Sequence, residues 1–324
     1  MSLLAHTRVA KTVILAAFSL LTIGPPGFGQ IGGQPGTFSR MGFGARGAGM
    51  GNAMSAVITG DLVSYYNPAL LPWTSQPHVS ATYGILSLDR SLNFLSFSTA
   101  LRPSAGISLG VINAGVSDID GRDGDGRPTE ALKTSENLVF LGFGNRFPGG
   151  FAIGLNIKLL YYNLYTDLSS TTVGIDAGVL VPVNTRLTVG ATVRDISSKY
   201  KWDTSKLLGQ QGKTSEDRFP MLYTVGAAYL LPDSLGLVAA ELELSNASTM
   251  IGRFGIEVPL VPEIAVRGGI DRIDVKEKGN GIRPSIGFSA GKNLGGWTPV
   301  VTYAYVFEPF SPTGMHLISV SVRF

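Results

Sequence analysis

The chain ends on His316-Leu-Ile-Ser-Val-Ser-Val-Arg-Phe324, and this stretch decides the fold. Side chains of a β-strand point alternately to opposite faces, so every second residue shares a face. One face carries His316, Ile318, Val320, Val322 and Phe324. The other face carries Leu317, Ser319, Ser321 and Arg323. An apolar final strand that stops on an aromatic residue predicts either the closing strand of a membrane β-barrel or a buried terminal strand of a soluble β protein.

The beginning of the chain has the layout of a cleaved secretory signal. Arg8 and Lys11 precede a twelve-residue apolar run at 12–23, which is too short to span a bilayer. A Gly-Pro-Pro break follows, and small residues lead up to a predicted cleavage near Gly29 and Gln30. A short membrane-anchoring helix is the alternative. Export would place the mature chain in the bacterial outer membrane if the barrel interpretation holds.

Composition favours a membrane barrel over a soluble protein or a nucleic-acid partner. Charged residues make up only 15% of the chain, against about 25% in typical globular proteins. Glycine is abundant at 42 of 324 residues, and the chain contains no cysteine. Without residues 1–29, 24 basic and 23 acidic residues remain, so the basic pI gives no argument for nucleic-acid binding.

About fourteen segments have strand character in the predicted mature chain, and several alternate clearly. They are 77–86, 92–101, 105–114, 136–146, 150–163, 170–181, 185–196, 219–231, 235–245, 250–259, 262–272, 282–291, 298–307 and 315–324. Segments 150–163 and 219–231 are apolar on both faces, which suggests a partly filled or apolar lumen. We therefore predict an all-β fold, a transmembrane up-and-down antiparallel barrel formed by residues 77–324.

The lengths of the connections support this barrel. The longest connections, 115–135, 197–218 and 273–281, follow odd-numbered segments, whereas the connections after even-numbered segments are short and rich in proline. An up-and-down barrel predicts this alternation, because its outer loops are long and its periplasmic turns are tight.

Residues 30–76 precede the first strand and read GFGARGAGMGNAMSAVITGDLVSYYNPALLPW over 42–73. The closely spaced glycines make the start of this stretch pliable. We expect a short helical turn over 52–58 and a second one capped by Asp61, which ends before Pro68. The apolar side chains of this segment need cover, so we predict a plug inside the barrel, with an exposed periplasmic arm as the alternative.

This stretch resembles the start of the PorV and PorQ family of outer-membrane proteins, which is related to the FadL fatty-acid transporters. The resemblance rests on a Gly/Ala/Arg segment and an aromatic-Asn-Pro-Ala element, with Leu70 where the family usually has glycine. It assigns a structural plug motif to Gly47, Gly49, Gly51, Asn67, Pro68 and Ala69.

The resemblance implies a non-enzymatic protein that binds or shuttles exported proteins in a type IX-like secretion pathway. The alternative is a FadL-like transporter of hydrophobic molecules such as fatty acids, in which the ligand leaves sideways through the barrel wall. Expected partners are outer-membrane lipid, the barrel-assembly machinery and secreted cargo or other secretion components. We favour the first function because the chain is short and its plug is small.

Few residues have a pattern that indicates chemistry. The predicted mature chain has two histidines, His78 and His316, and shows no catalytic triad, so we expect no enzyme activity and no cofactor. The loop over 118–130 is a candidate Ca²⁺ site, although its spacing departs from an EF-hand and a solvated loop is favoured. The candidate ligands are Asp118, Asp120, Asp123 and Asp125. Tyr200 and Trp202 in the loop over 197–218 could contact a partner, or they could pack on the barrel rim.

Overall fold

The computed structural model describes residues 33–275 and 281–324. The predicted signal segment, residues 1–29, lies outside this described part. Fourteen strands close into an antiparallel barrel, which confirms the predicted fold class. Strands that follow one another along the chain are neighbours around the wall, and a separate two-stranded hairpin is inserted between the seventh and eighth barrel strands.

The predicted segments correspond to the observed barrel strands with small shifts at their ends. The barrel strands are β1 (His78–Ile85), β2 (Arg90–Leu101), β3 (Ala105–Ile119), β4 (Leu132–Arg146), β5 (Ala152–Tyr165), β6 (Leu168–Pro182), β7 (Leu187–Ile196), β10 (Leu222–Leu230), β11 (Leu237–Ser245), β12 (Met250–Val261), β13 (Ile264–Asp274), β14 (Arg283–Gly291), β15 (Thr298–Val306) and β16 (Met315–Arg323). The hairpin consists of β8 (Lys199–Asp203) and β9 (Thr214–Arg218).

The terminal strand closes the barrel. It pairs with β1 from His78 opposite Arg323 to Ile85 opposite His316. Val320 and Phe324 are exposed on the outer surface and Val322 is partly exposed there, whereas the serines of the same strand face inward. The side chain of Phe324 lies beside Trp297, with ring centroids 6.2 Å apart. An apolar outer face with aromatic residues at its rim fits a lipid-facing barrel.

The lumen beside 150–163 is filled by the plug, which corresponds to the filled alternative of the sequence prediction. In β5 the outward side chains are large and apolar, and Ile157 is 60% exposed. Its inward face carries Asn156 and Lys158 beside the small residues Ala152 and Gly154. A strand in which large apolar residues alternate with small and polar ones faces lipid on one side and a filled interior on the other.

Residues 33–77 form a plug inside the barrel, as predicted. The plug contains a 3₁₀ helix (Thr37–Arg40), the helix α1 (Gly44–Gly49) and a second 3₁₀ helix (Pro68–Trp73). Its apolar side chains are buried together with inward residues of the wall. Because the wall covers these side chains, the exposed-arm alternative does not describe the structure.

The predicted helical turn over 52–58 is wrong, since the α-helix of the plug covers the glycine-rich stretch Gly44–Gly49. Asp61 caps no helix and instead pairs with Arg323 of β16. Glycine disfavours helices by about 1 kcal/mol relative to alanine, so the helix depends on contacts with the wall. Ala45 N, for example, donates a hydrogen bond to Ser319 Oγ at 2.8 Å.

Two predicted loops contain further strand. Strands β3 and β4 extend into the predicted loop 115–135, with a register shift between Val116 and Ile119. The predicted loop 197–218 contains the hairpin and a short helix α2 (Ser205–Leu208). The hairpin is not part of the barrel wall, because its two strands pair only with each other. Within the described residues, no helix is long and apolar enough to cross a membrane.

Candidate functional site

The wall and the plug approach each other closely because the wall carries inward-facing glycines. A Cβ added to Gly154 would lie 2.3 Å from the carbonyl carbon of Pro68. A Cβ added to Gly255 would lie 2.3 Å from the Met50 carbonyl oxygen. Comparable contacts occur at Gly106, Gly142, Gly144, Gly178, Gly190, Gly226 and Gly269. These glycines let the plug backbone pack directly against the strands, so a straight path along the barrel axis is closed.

The glycines of the predicted plug motif also allow close packing, both within the plug and between the plug and the wall. A Cβ on Gly47 would lie 1.9 Å from the hydroxyl of Tyr66. Gly51 has a φ of 59°, and its Cβ would clash with the backbone of β13. Gly49 is less constrained, since its nearest neighbour would be 3.6 Å away. The roles of these residues in the structure are steric.

Asn67 holds the second half of the motif in place. Its Nδ2 donates to the carbonyl oxygens of Ser55 at 2.8 Å and Val179 at 3.2 Å, and its Oδ1 accepts from Ala69 N at 2.9 Å. It caps the 3₁₀ helix that begins at Pro68. One side chain thus joins two parts of the plug to strand β6.

Two adjacent tyrosines tie the start of the plug to its end. Tyr65 donates its hydroxyl proton to Ser39 O at 2.8 Å, and Tyr66 lies 2.9 Å from Asn52 Oδ1. Burial raises the pKa of the Tyr66 hydroxyl well above its ordinary value. Both hydroxyls therefore act as neutral hydrogen-bonding groups.

A charged cluster that the sequence analysis missed lies in the middle of the barrel. Arg253 donates to Glu243 at 3.0 Å and to Asp271 at 2.7 Å, and it lies 3.7 Å from Glu241. We call these four residues the central cluster. Charged residues at alternate positions of otherwise apolar strands are the signal that could have revealed it.

A second missed cluster joins three neighbouring strands. Lys158 of β5 pairs with Asp176 of β6 at 2.6 Å and with Asp195 of β7. Asp176 sits where the β6–β7 register shifts, between Ile175 and Ala177. It also accepts a hydrogen bond from Asp195 N at 2.9 Å. The carboxylate of Asp176 and the ammonium group of Lys158 thus support a bulge in the wall.

A cavity of about 440 Å³ lies between the plug and strands β12 to β16, at the end of the barrel where the C-terminal strand finishes. We call it the periplasmic cavity, because the tight turns at this end are the ones that the sequence analysis assigns to the periplasm. Glu257 is bound by both Arg46 of the plug, at 2.8 Å, and Arg267 of β13, at 2.5 Å. We call these three residues the periplasmic cluster. Asp61 and Arg323 form a separate pair at the same end.

The opposite end carries Tyr200 and Trp202, the predicted partner-binding residues. Their side chains are buried, at 1% and 7% exposure, and they pack with Tyr162 on the barrel rim. Tyr200 Oη donates to Glu136 at 3.1 Å, and Trp202 Nε1 donates to Asp217 at 2.7 Å. Both rings pack on the rim of the barrel.

The four aspartates of the calcium hypothesis do not converge. Asp120 pairs with Arg122, Asp125 faces Arg127, and Asp123 accepts from backbone N–H groups of its own loop. Across residues 33–275 and 281–324, no three acidic, histidine or cysteine side chains lie together in a way that could hold a metal ion. Asp120, Asp123 and Asp125 thus each have a partner within the loop.

Comparison with known proteins gives a clear result for the fold. No protein-family model matches the chain, and no curated protein sequence matches it. The toluene transporter TodX of Pseudomonas putida superposes with a TM-score of 0.62 at 12% identity, over 87% of this chain and 99% of that one. The chain has a FadL-like barrel fold.

Two further structures agree with this result. The toluene transporter TbuX of Ralstonia pickettii gives a TM-score of 0.60 at 12% identity, over 87% of this chain and 98% of that one. A FadL homologue of Pseudomonas aeruginosa gives 0.58 at 10% identity, with coverage of 87% and 98%. The matches give no support that is specific to the PorV and PorQ branch.

Proposed function

We propose that this chain is a bacterial outer-membrane channel that admits small hydrophobic molecules. The observation that carries the proposal is the closed fourteen-strand barrel with a plug in its lumen, which matches transporters of toluene over most of its length. Export with removal of residues 1–29, and insertion by the barrel-assembly machinery into outer-membrane lipid, belong to the same proposal.

The wall offers a place where such a molecule could pass sideways. An apolar groove of about 290 Å³ lies on the outer surface across β5, β6, β7, β10 and β11. Its floor includes the small residues Ala177, Gly178 and Ala191, next to the bulge at Asp176. Gly178 contacts Asn67 of the plug from the inside, so only one layer of backbone separates the plug from the groove.

This proposal replaces the protein-carrying function as the preferred one. The PorV and PorQ resemblance predicts a surface that binds secreted cargo, with Tyr200 and Trp202 as candidate contacts. Both rings are engaged in packing and hydrogen bonds on the rim. The fold comparisons favour hydrophobic transport over secretion.

Uptake measurements test the proposal. The full chain is expressed in a Gram-negative strain that lacks its own channels for hydrophobic compounds, and entry of radiolabelled toluene and oleate is followed. We expect uptake several-fold above that of the same strain carrying an empty vector. Ala191→Trp, which fills the groove, should reduce uptake, whereas Ala247→Trp, on the turn between β11 and β12, should not. Uptake equal to that of the empty-vector strain would contradict the proposal.

A further inference from the structure

Three asparagines form a row across the outer surface of the barrel wall. Asn93 of β2 lies opposite Asn113 of β3, and Asn113 lies opposite Asn137 of β4. Side chains two positions apart on a strand point the same way, so these asparagines share their faces with large exposed apolar residues. Those exposed residues are Leu95, Phe97, Leu109, Val139 and Leu141. The three asparagines therefore face outward, and we call them the amide row.

Hydrogen bonds link the amide row but leave part of its capacity unused. Asn93 Nδ2 donates to Asn113 Oδ1 at 3.4 Å, and Asn113 Nδ2 donates to Asn137 Oδ1 at 2.7 Å. Asn137 Nδ2 donates to Ser135 Oγ at 3.1 Å. A carboxamide can donate two hydrogen bonds, so Asn93 and Asn137 each keep a donor that no described residue accepts from. Beside an apolar surface, such groups need partners from outside the chain.

The amide row lies where the strands leave the hydrocarbon of the membrane. A tilted strand crosses the hydrocarbon in about 9 to 11 residues. Counted from the periplasmic end, Asn113 is the ninth residue of β3 and Asn137 is the tenth of β4. Both strands continue past the row, since each has 15 residues. The amide row is therefore at the level of the lipid head groups of the outer leaflet.

A tyrosine stands at each end of the amide row. Tyr83 of β1 lies opposite Asn93, and Tyr161 of β5 lies opposite Asn137. Their side chains are 59% and 43% exposed. Neighbouring strands are about 4.8 Å apart, so the five strands present a surface about 19 Å wide. Amides that donate and accept, flanked by exposed aromatic rings, suit the hydroxyl groups and ring faces of a saccharide.

The described residues show no such row on the opposite side of the barrel. At the extracellular ends of β10, β11 and β12, the outward residues that lie opposite one another are Tyr223, Leu244 and Met250. None of these three carries an amide. The amide row is thus a local feature of one side of the wall and not a general property of the rim.

We infer that the outer face of β1 to β5 binds the saccharide head group of an outer-leaflet glycolipid. The sugar contacts the amide row between the two tyrosines, and the acyl chains lie on the apolar residues below. The next outward positions are small and uncharged, namely Ser91, Gly115 and Ser135, so they do not repel a phosphorylated head group. The inference does not depend on the proposed channel function, because this surface lies outside the lumen.

Native mass spectrometry of the mature protein in detergent tests this inference. The probes are Kdo2-lipid A, which has a saccharide head group, and phosphatidylglycerol, which has none. We expect the bound fraction of Kdo2-lipid A to be at least fivefold higher at equal concentration. The triple variant Asn93→Leu, Asn113→Leu, Asn137→Leu should lose that preference and still bind phosphatidylglycerol. Leucine suits a lipid-facing position, and the folded band on gels checks that the variant forms the barrel.

A single pair of variants provides a matched comparison. Asn113→Leu removes the middle of the amide row and should lower Kdo2-lipid A binding at least twofold. Thr99→Leu makes a similar change near the periplasmic end of β2 and should leave binding unchanged. Equal binding of the two lipids, or normal Kdo2-lipid A binding by the triple variant, would overturn the inference. A dimer that the triple variant loses would assign the row to contact between two copies and would overturn it as well.

Discussion

The central and periplasmic clusters both join the plug to the wall, but their charge balance is opposite. In the central cluster one guanidinium, Arg253, meets three carboxylates, and the plug supplies donors to the extra acids. Asn52 Nδ2 donates to Asp271 at 3.1 Å, and Ser55 N donates to Glu241. In the periplasmic cluster Glu257 meets two guanidiniums, and Arg267 Nη1 finds no acceptor.

The two clusters also differ in the volume of the cavity beside them. The cavity beside the central cluster measures about 20 Å³, enough for little more than a water molecule. The periplasmic cavity is about twentyfold larger. Arg40 of the plug and Arg194 of β7 also line the small cavity, so further cations lie close to the carboxylates of the central cluster. The periplasmic cluster instead borders space that the plug leaves unfilled.

Arg253→Gln should have the largest effect on stability. It leaves three buried carboxylates without their shared cation, so we expect a loss of about 3 to 5 kcal/mol in the free energy of unfolding. The loss is measured by urea unfolding in detergent, followed by the shift of the folded band on gels. Arg218→Gln, at a side chain 81% exposed, should change the free energy by less than about 0.5 kcal/mol. Equal losses in the two variants would show that the central cluster does not stabilise the fold.

Glu257→Gln should lower the free energy of unfolding more than Arg267→Gln does. The first leaves two guanidiniums without a carboxylate and should cost about 2 to 4 kcal/mol. The second leaves a matched pair of Arg46 and Glu257 and should cost less than about 1 kcal/mol. The same unfolding assay compares them. A larger loss for Arg267→Gln would mean that the second cation is structural.

Gly154→Ala tests the direct packing of plug on wall, on which both clusters depend. The added methyl group would lie 2.3 Å from the backbone of Pro68, so we expect a loss of about 1 to 3 kcal/mol from overpacking. Gly268→Ala is the control, because its nearest neighbour would lie at an ordinary 3.7 Å. Similar unfolding curves for both variants would show that the plug can move away from the wall.

The pair of Asp61 and Arg323 should make a small, pH-dependent contribution at the periplasmic end. Burial acts to raise the pKa of Asp61, but the Arg323 guanidinium outweighs it and holds that pKa below its ordinary value. The stabilisation is therefore complete above the unfolded pKa of about 4 and is lost as the pH falls through the lower folded value. Unfolding between pH 6 and 2.5 should show a decline of about 1 kcal/mol that Asp61→Asn lacks. An unchanged slope in that variant would exclude Asp61 as its source.

The sequence predicted the strands well because each has its own local signal. Alternation along 315–324 and short proline-containing turns such as 102–104 are visible within a few residues. The same reasoning failed where tertiary contacts override local preference. The glycine-rich stretch Gly44–Gly49 is helical because the wall supports it, and the hairpin β8–β9 forms within a stretch that reads as a polar loop.

The sequence by itself determined the strands of the barrel, because apolar side chains at alternate positions give each strand one apolar face. Only the tertiary structure decided what fills the barrel and which charges meet inside it. Arg46 and Glu257 are 211 positions apart, and no local pattern links them. Their contact, and the unpaired nitrogen of Arg267 beside it, follow from how the plug packs against the closed wall.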